Sequence, residues 1–217
     1  ILSADPCDLI ASRDLVWLAA RLDLSSEDAA TTGLWALCQH PSNKRLKYFT
    51  GRTLFWRGRI SKAIKFLGET IQEGPDPKRA FSLLGEAVTL RSDVSGNPSR
   101  GGPVPLPVGH RLVVFVRDVV SMDHVLPVAW KWSVEGTRDA VIVFIGPMPR
   151  IDWRIYFARS VGNLHVRTLL DLAPDLDIDK MMKGLLFGAS GRVVVHDQTN
   201  SSMARVFRGA AHRHGAP

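Results

Sequence analysis

The side chains able to do chemistry gather in three short polar runs of the second half. The first is Arg117-Asp118-Val119-Val120-Ser121-Met122-Asp123-His124. The second is Gly146-Pro147-Met148-Pro149-Arg150, and the third His196-Asp197-Gln198-Thr199-Asn200-Ser201-Ser202. Each follows an apolar run of strand length and opens a helical pattern. That places all three beyond the carboxyl ends of parallel strands, where open α/β sheets bind ligands. His124 is the candidate general base, since imidazole takes up and releases protons near neutral pH. Asp123 or Asp197 would orient it, and Arg117 or Arg150 would meet a phosphate. Asp118, Ser121, Asn200 and Ser201 complete the candidate substrate-binding set. Each also has a plainer use: His124 as a surface residue at a helix start, Asp197 as a helix N-cap. Ser201 and Ser202 have no partner base at fixed spacing, so they read as caps before nucleophiles.

Other chemistries drop out. The first run contains no glycine, which excludes a G-x-G-x-x-G dinucleotide cradle, and no Walker A sequence occurs anywhere. There is no H-E-x-x-H and no paired C-x-x-C, and His212-x-His214 in a basic tail makes a poor metal site. No cofactor or metal is expected. Cys7 and Cys38 cannot define a disulfide framework, which suits a reducing, cytoplasmic compartment. No uncharged apolar run approaches the roughly 20 residues of a membrane-spanning helix. Ile1-Leu2-Ser3-Ala4-Asp5 offers neither a basic nor an apolar signal region, and without an initial methionine the chain reads as a fragment.

The elements that must position these runs alternate. Arg111 to Val116, Ala140 to Ile145, Asn163 to Leu169 and Arg192 to His196 read as strands. His124 to Val134, Ile151 to Val161, Asp177 to Phe187 and Ser201 to His214 read as helices. Continuous rather than alternating apolarity in the first two strands means burial on both faces. Four strand–helix units imply a Rossmann-like parallel sheet with helices on both faces, cut short where a fifth strand is expected. Ahead of it, residues 91–109 carry Ser95-Gly96-Asn97-Pro98-Ser99-Arg100-Gly101-Gly102-Pro103, then Pro105 and Pro107, and read as a linker. The expected division is 1–90, 91–109 and 110–217.

Residues 1–90 read as helices. Leu9, Ile10, Leu15, Val16, Leu18, Ala19 and Leu22 recur at helical spacing, and Ser25-Ser26-Glu27-Asp28 marks a helix start. A longer period lies over this one: Ala29 and Ala63, Pro41 and Pro75, and Gly51 and Gly85 are each 34 residues apart. Within one unit Gly51, Leu54, Gly58, Ala63, Leu67 and Pro75 resemble the tetratricopeptide repeat, with helix A over Asn43 to Arg57 and helix B over Ser61 to Gln72. The preceding unit keeps Ala29, Ala36 and Pro41, but has Trp17 where that family has a small residue and Gly33 where it has a large one. Stacked neighbours complete one another's core, so Trp17, Trp35, Phe55, Trp56, Phe66 and Phe81 are expected mostly inside. A peptide groove lined by some of them is the functional alternative.

The formal net charge is +7, with 12 Lys/Arg against 10 Asp/Glu over residues 1–90 and 16 against 11 over residues 91–217. One cluster lacks acids: Lys44, Arg45, Lys47, Arg52, Arg57, Arg59, Lys62 and Lys65. It suits an anionic membrane surface, which would make the protein membrane-peripheral, or else it is a solvated helix face whose counter-charges sit elsewhere in the fold. Nucleic acid ranks last as a partner, because no recognition motif or stacking array accompanies the charge.

Asp123-His124-Val125-Leu126-Pro127-Val128-Ala129 resembles the first loop and helix of GT-B glycosyltransferases, in several families of which a Gly-His pair precedes two apolar residues and a proline. Asp123 stands here in place of that glycine. Val193-Val194-Val195-His196-Asp197, a helix, and Arg213-His214-Gly215-Ala216-Pro217 are similar to the N-terminal half-domain of surface-polysaccharide transferases, among them CDP-glycerol glycerophosphotransferase-like proteins. The resemblance implies transfer of a sugar or glycerophosphate group from a nucleotide-activated donor, which only a longer chain would bind. The helical repeats would then recruit a protein partner. The alternative is a repeat-type interaction adaptor without catalysis.

Overall fold

The computed structural model describes residues 8–70, 76–95, 108–135, 138–149, 151–196 and 201–217. Two compact units divide the chain, residues 1–88 and 89–217. Arg150, Asp197, Asn200 and Pro75 lie outside the described residues.

The first unit is helical: α1 (Leu9–Arg21), α2 (Glu27–Gln39), α3 (Lys44–Trp56), α4 (Ile60–Thr70) and α5 (Pro77–Ser95). Caps fix the starts. Asp8 accepts from the Ile10 and Ala11 amides, Ser26 from Ala29, and Asn43 from Leu46. Helix α3 stops at Gly58, whose φ of 83° suits glycine. There the Arg59 amide reaches the Leu54 carbonyl and the Gly58 amide that of Phe55, a Schellman closure. Ala29 and Ala63, one repeat period apart, are both fully buried. A Cβ on Gly51 would stand 3.0 Å from Leu67 Cγ, so this glycine lets α3 and α4 approach; Gly33 does the same for α2 against Thr50 of α3. Gly85 faces open space, so its place in the period carries no such contact.

Two expectations need correction here. Helix α5 runs on through Ser95, past the expected boundary at 90, because nothing from Glu86 to Ser95 is glycine or proline. Phe55 and Trp56 are buried, but Trp17 and Phe81 are exposed. Four members of the basic cluster find counter-charges elsewhere in the fold, as its plainer reading expects. Glu27 accepts from Arg57 and Arg59, Arg52 pairs with Asp23, and Lys47 with Glu69. Burial pushes the Glu27 carboxyl up, yet the two arginines outweigh it and hold it below the usual range.

The second unit runs β1 (Gly109–Val116), α6 (Met122–Val134), β2 (Arg138–Phe144), α7 (Trp153–Ser160), β3 (Leu164–Thr168), α8 (Leu169–Leu172), α9 (Ile178–Leu186), β4 (Ala189–His196) and α10 (Ser202–Arg213). All pairings are parallel, in the order β3-β2-β1-β4. Val114 aligns with Ile142 on one side and Val195 on the other. One face of the sheet, with Leu112, Val114, Val116, Ile142 and Phe144, packs on Leu126 and Ala129 of α6 and Ile155 and Ala158 of α7. Phe115 points the other way and stacks on Phe207 of α10 at 4.3 Å. The fold is therefore helical repeats followed by a Rossmann-like α/β unit. Leu169, expected to end a strand, instead opens α8, because Thr168 and Asp171 form a reciprocal capping box. Among the described residues no helix is long and apolar enough to cross a membrane.

Candidate functional site

Strand order decides where the site lies. The connection from β1 leads to β2 on one side, while β4 lies on the other, so the topological switch point falls between β1 and β4. Ligands bind beyond the carboxyl ends of strands at such points. The loop from Arg117 to Ser121 follows β1 there, and Ser201 caps the helix that follows β4.

Asp118 organises that loop. Its Oδ1 accepts from the Ser121 amide at 2.9 Å and the Ser121 hydroxyl at 3.1 Å. The Ser121 amide, with smaller help from that hydroxyl, holds the Asp118 carboxyl below its ordinary range. Helix α6 then starts with tight i→i−3 bonds from Met122, Asp123 and His124. Pro127 inside it removes the N–H that would otherwise bond the Asp123 carbonyl. The His124 imidazole is exposed and makes no hydrogen bond or ion pair to a described residue. Arg117 is exposed, and its carbonyl lies hard against Gly146, where any Cβ would collide with it. The loops after β1 and β2 thus meet through backbone.

Asp123 goes elsewhere. Its carboxylate pairs with Arg154 of α7 at 2.9 Å, and Arg154 also grips Asp152 in a fork of two 2.8 Å bonds. The Arg154 hydrogen bonds hold the Asp152 carboxyl below its ordinary range, and Asp152, with Asp123, keeps the guanidinium more firmly protonated. Ser201 Oγ accepts from the Ala204 amide at 3.0 Å, as the capping reading anticipates. The structure therefore brings together Asp118 with Ser121, but not Asp123 with His124. Arg154 and Asp152 escaped the sequence reading. Asp152 could be found as a helix N-cap two residues before Arg154, whereas the contact to Asp123 spans 31 positions and leaves no local signal.

At the amino end of the same sheet Arg111 is fully buried beside Asp139, its register partner on β2, at 3.6 Å, and donates to the Leu185 carbonyl. His165 of β3 stands 4.0 Å from the same Asp139. This cluster lies away from the switch point and ties strands to the end of α9.

The helical unit has its own concavities. One of 480 Å³ lies between Arg13, Trp17 and Leu18 of α1 and Arg45 and Phe49 of α3. Another of 320 Å³ shares Trp17 and Phe49 and adds Arg21, Arg52, Asp76 and Arg79. Arg21 lies 5.2 Å over the Trp17 ring.

No family model matches the chain, and no curated protein matches it. Among solved structures it is similar to a mutant O-GlcNAc transferase from Thermobaculum terrenum, at 18% identity and a TM-score of 0.34, over 97% of this chain and 43% of that one. The chain thus spans less than half the length of that protein. Likeness at this level carries no argument, and the fold rests on the chain's own topology.

Proposed function

We propose that the chain is the acceptor-side part of a GT-B-type transferase, moving a sugar or glycerophosphate group from a nucleotide-activated donor to a cell-surface or protein-linked acceptor. The helical unit is its recruitment module. The observation that supports this most directly is the position of the His124 loop beside the β1/β4 switch point. In this reading His124 takes the proton of the acceptor hydroxyl as its oxygen attacks the donor carbon or phosphorus. The nucleotide leaves with the electrons of the broken bond. Arg117 faces the phosphate, and the Arg154 pairing with Asp123 and Asp152 holds the starts of α6 and α7 together. The test is His124→Ala in the full-length protein. kcat/KM is expected to fall at least about 100-fold with donor binding retained. An unchanged rate removes His124 from the chemistry, and a full-length protein that binds no nucleotide-activated donor removes the transferase.

The adaptor reading is favoured by one specific observation, the arginine-flanked concavity around Trp17 and Phe49. There, partner capture is lost in Trp17→Ala while no sugar nucleotide binds to any form of the protein.

A further inference from the structure

Arginines frame both concavities of the helical unit, and their order along the helices is informative. The one of 480 Å³ takes Arg13 and Trp17 from α1, and Arg45 and Phe49 from α3. The one of 320 Å³ takes Trp17 and Arg21 from α1, Phe49 and Arg52 from α3, and Arg79 from α5. Along both helices the same direction therefore leads from Arg13 and Arg45, past Trp17 and Phe49, to Arg21 and Arg52. Together the two concavities make one groove with guanidinium groups at each end. Its middle is apolar: Trp17 is 37% exposed, Leu18 46%, and Phe49 forms the floor at 5%.

Charge narrows the choice of occupant. The carboxylates along the groove are already taken. Asp14 pairs with Arg13 at 2.9 Å, Asp76 accepts from the Arg79 amide at 3.1 Å, and Asp23 holds Arg52 and Arg79. Arg21 and Arg45 are exposed and pair with no carboxylate among the described residues. Arg52 is 5% exposed, and its Nε bonds no described residue. A buried guanidinium N–H without an acceptor favours an incoming oxyanion. A membrane surface is flat and cannot enter a groove floored by Phe49 and Arg52, whereas an extended peptide can.

Spacing sets the pattern of that peptide. Arg13 and Arg21 are eight residues apart, a rise of about 12 Å along the helix. Four residues of extended chain advance about 13 Å, with alternate side chains on one face. We infer that the groove binds an extended segment of a partner protein that reads acidic-x-apolar-x-acidic. The apolar side chain lies on Trp17 and Leu18, and one carboxylate meets the arginines at each end. The inference rests on the recruitment role proposed for the helical unit and names the chemistry it recruits.

The experiment is fluorescence anisotropy of the 217-residue chain with a labelled serine-rich peptide that carries glutamate, leucine and glutamate at alternate positions. A counterpart has glutamine for both glutamates. The acidic peptide is expected to bind at least about tenfold more tightly, and to weaken as salt rises. Arg21→Gln and Arg45→Gln should each raise its dissociation constant at least about threefold. The melting temperature should stay unchanged, because both side chains are exposed. Equal binding of the two peptides overturns the acidic pattern alone and leaves the groove a capture site. Binding of neither at roughly 1 mM overturns the pattern together with capture by this groove. Unchanged affinity in both arginine variants also overturns the inference. So does a full-length protein that refuses the peptide its 217-residue part binds, since the groove would then hold a segment of that protein itself.

Discussion

Burial holds the His165 imidazole below its ordinary pKa, with Arg167 and Arg111 adding to the effect and Asp139 opposing it. A folded-state value below the unfolded one means that unfolding takes up a proton. Stability is then full above pH ~6.5 and is lost as pH falls through the folded value. The urea midpoint of the α/β unit is expected to drop between about pH 7 and pH 5, and His165→Gln to flatten that slope. A slope that survives the substitution would belong to another group. Asp23 is the counterpart in the helical unit. Held at φ 52°, it accepts from Trp56 Nε1 at 2.7 Å and Arg52 at 3.1 Å, and it pairs with Arg79. Arg52 is buried, so Asp23→Asn leaves a buried cation without its counter-ion. Urea denaturation should register a loss of about 3 kcal/mol.

Elements in both units depend on glycines that could not be told apart by type. Gly51 and Gly33 admit neighbouring helices, whereas Gly85 at the same period meets nothing. The difference is that α3 has a partner across Gly51 and α5 has no described helix across Gly85. Gly146 is the most constrained for the site, because the group it faces is the Arg117 backbone carbonyl, which cannot rotate away. Gly146→Ala should cost about 2 kcal/mol, as overpacking does, and push the β1 and β2 loops apart. Chemical denaturation reads the first effect, and a donor or acceptor affinity measurement reads the second. An unchanged midpoint would show that the loop gives way freely.

On the scale of the whole molecule, the chain holds two compact units, each with its own buried core. Calorimetry is accordingly expected to show two transitions. Asp23→Asn should lower one of them, and Gly146→Ala the other. A single transition that both substitutions shift together would mean that the units unfold as one.

Local periodicity determined the elements. Valine-rich runs of strand length such as Leu112 to Val116 read as strands buried on both faces, as the parallel pairings on either side of β1 bear out. Likewise the Gly51–Leu67 spacing, with glycine at 58, specifies a helical hairpin before any long-range contact exists. The candidate loops follow from that alternation, because every parallel strand must end in a loop at the same edge. Tertiary structure decided the rest. The order β3-β2-β1-β4 picks the loop at the switch point, and no local pattern encodes it. The partners Asp123 and Arg154, Asp23 and Arg52, and Arg111 and Asp139 lie 28 to 31 positions apart and meet only after the elements pack. Exposure of Trp17, Trp153 and Tyr156 was settled the same way. An aromatic side chain reads alike in sequence whether a neighbouring element covers it or leaves it for a partner.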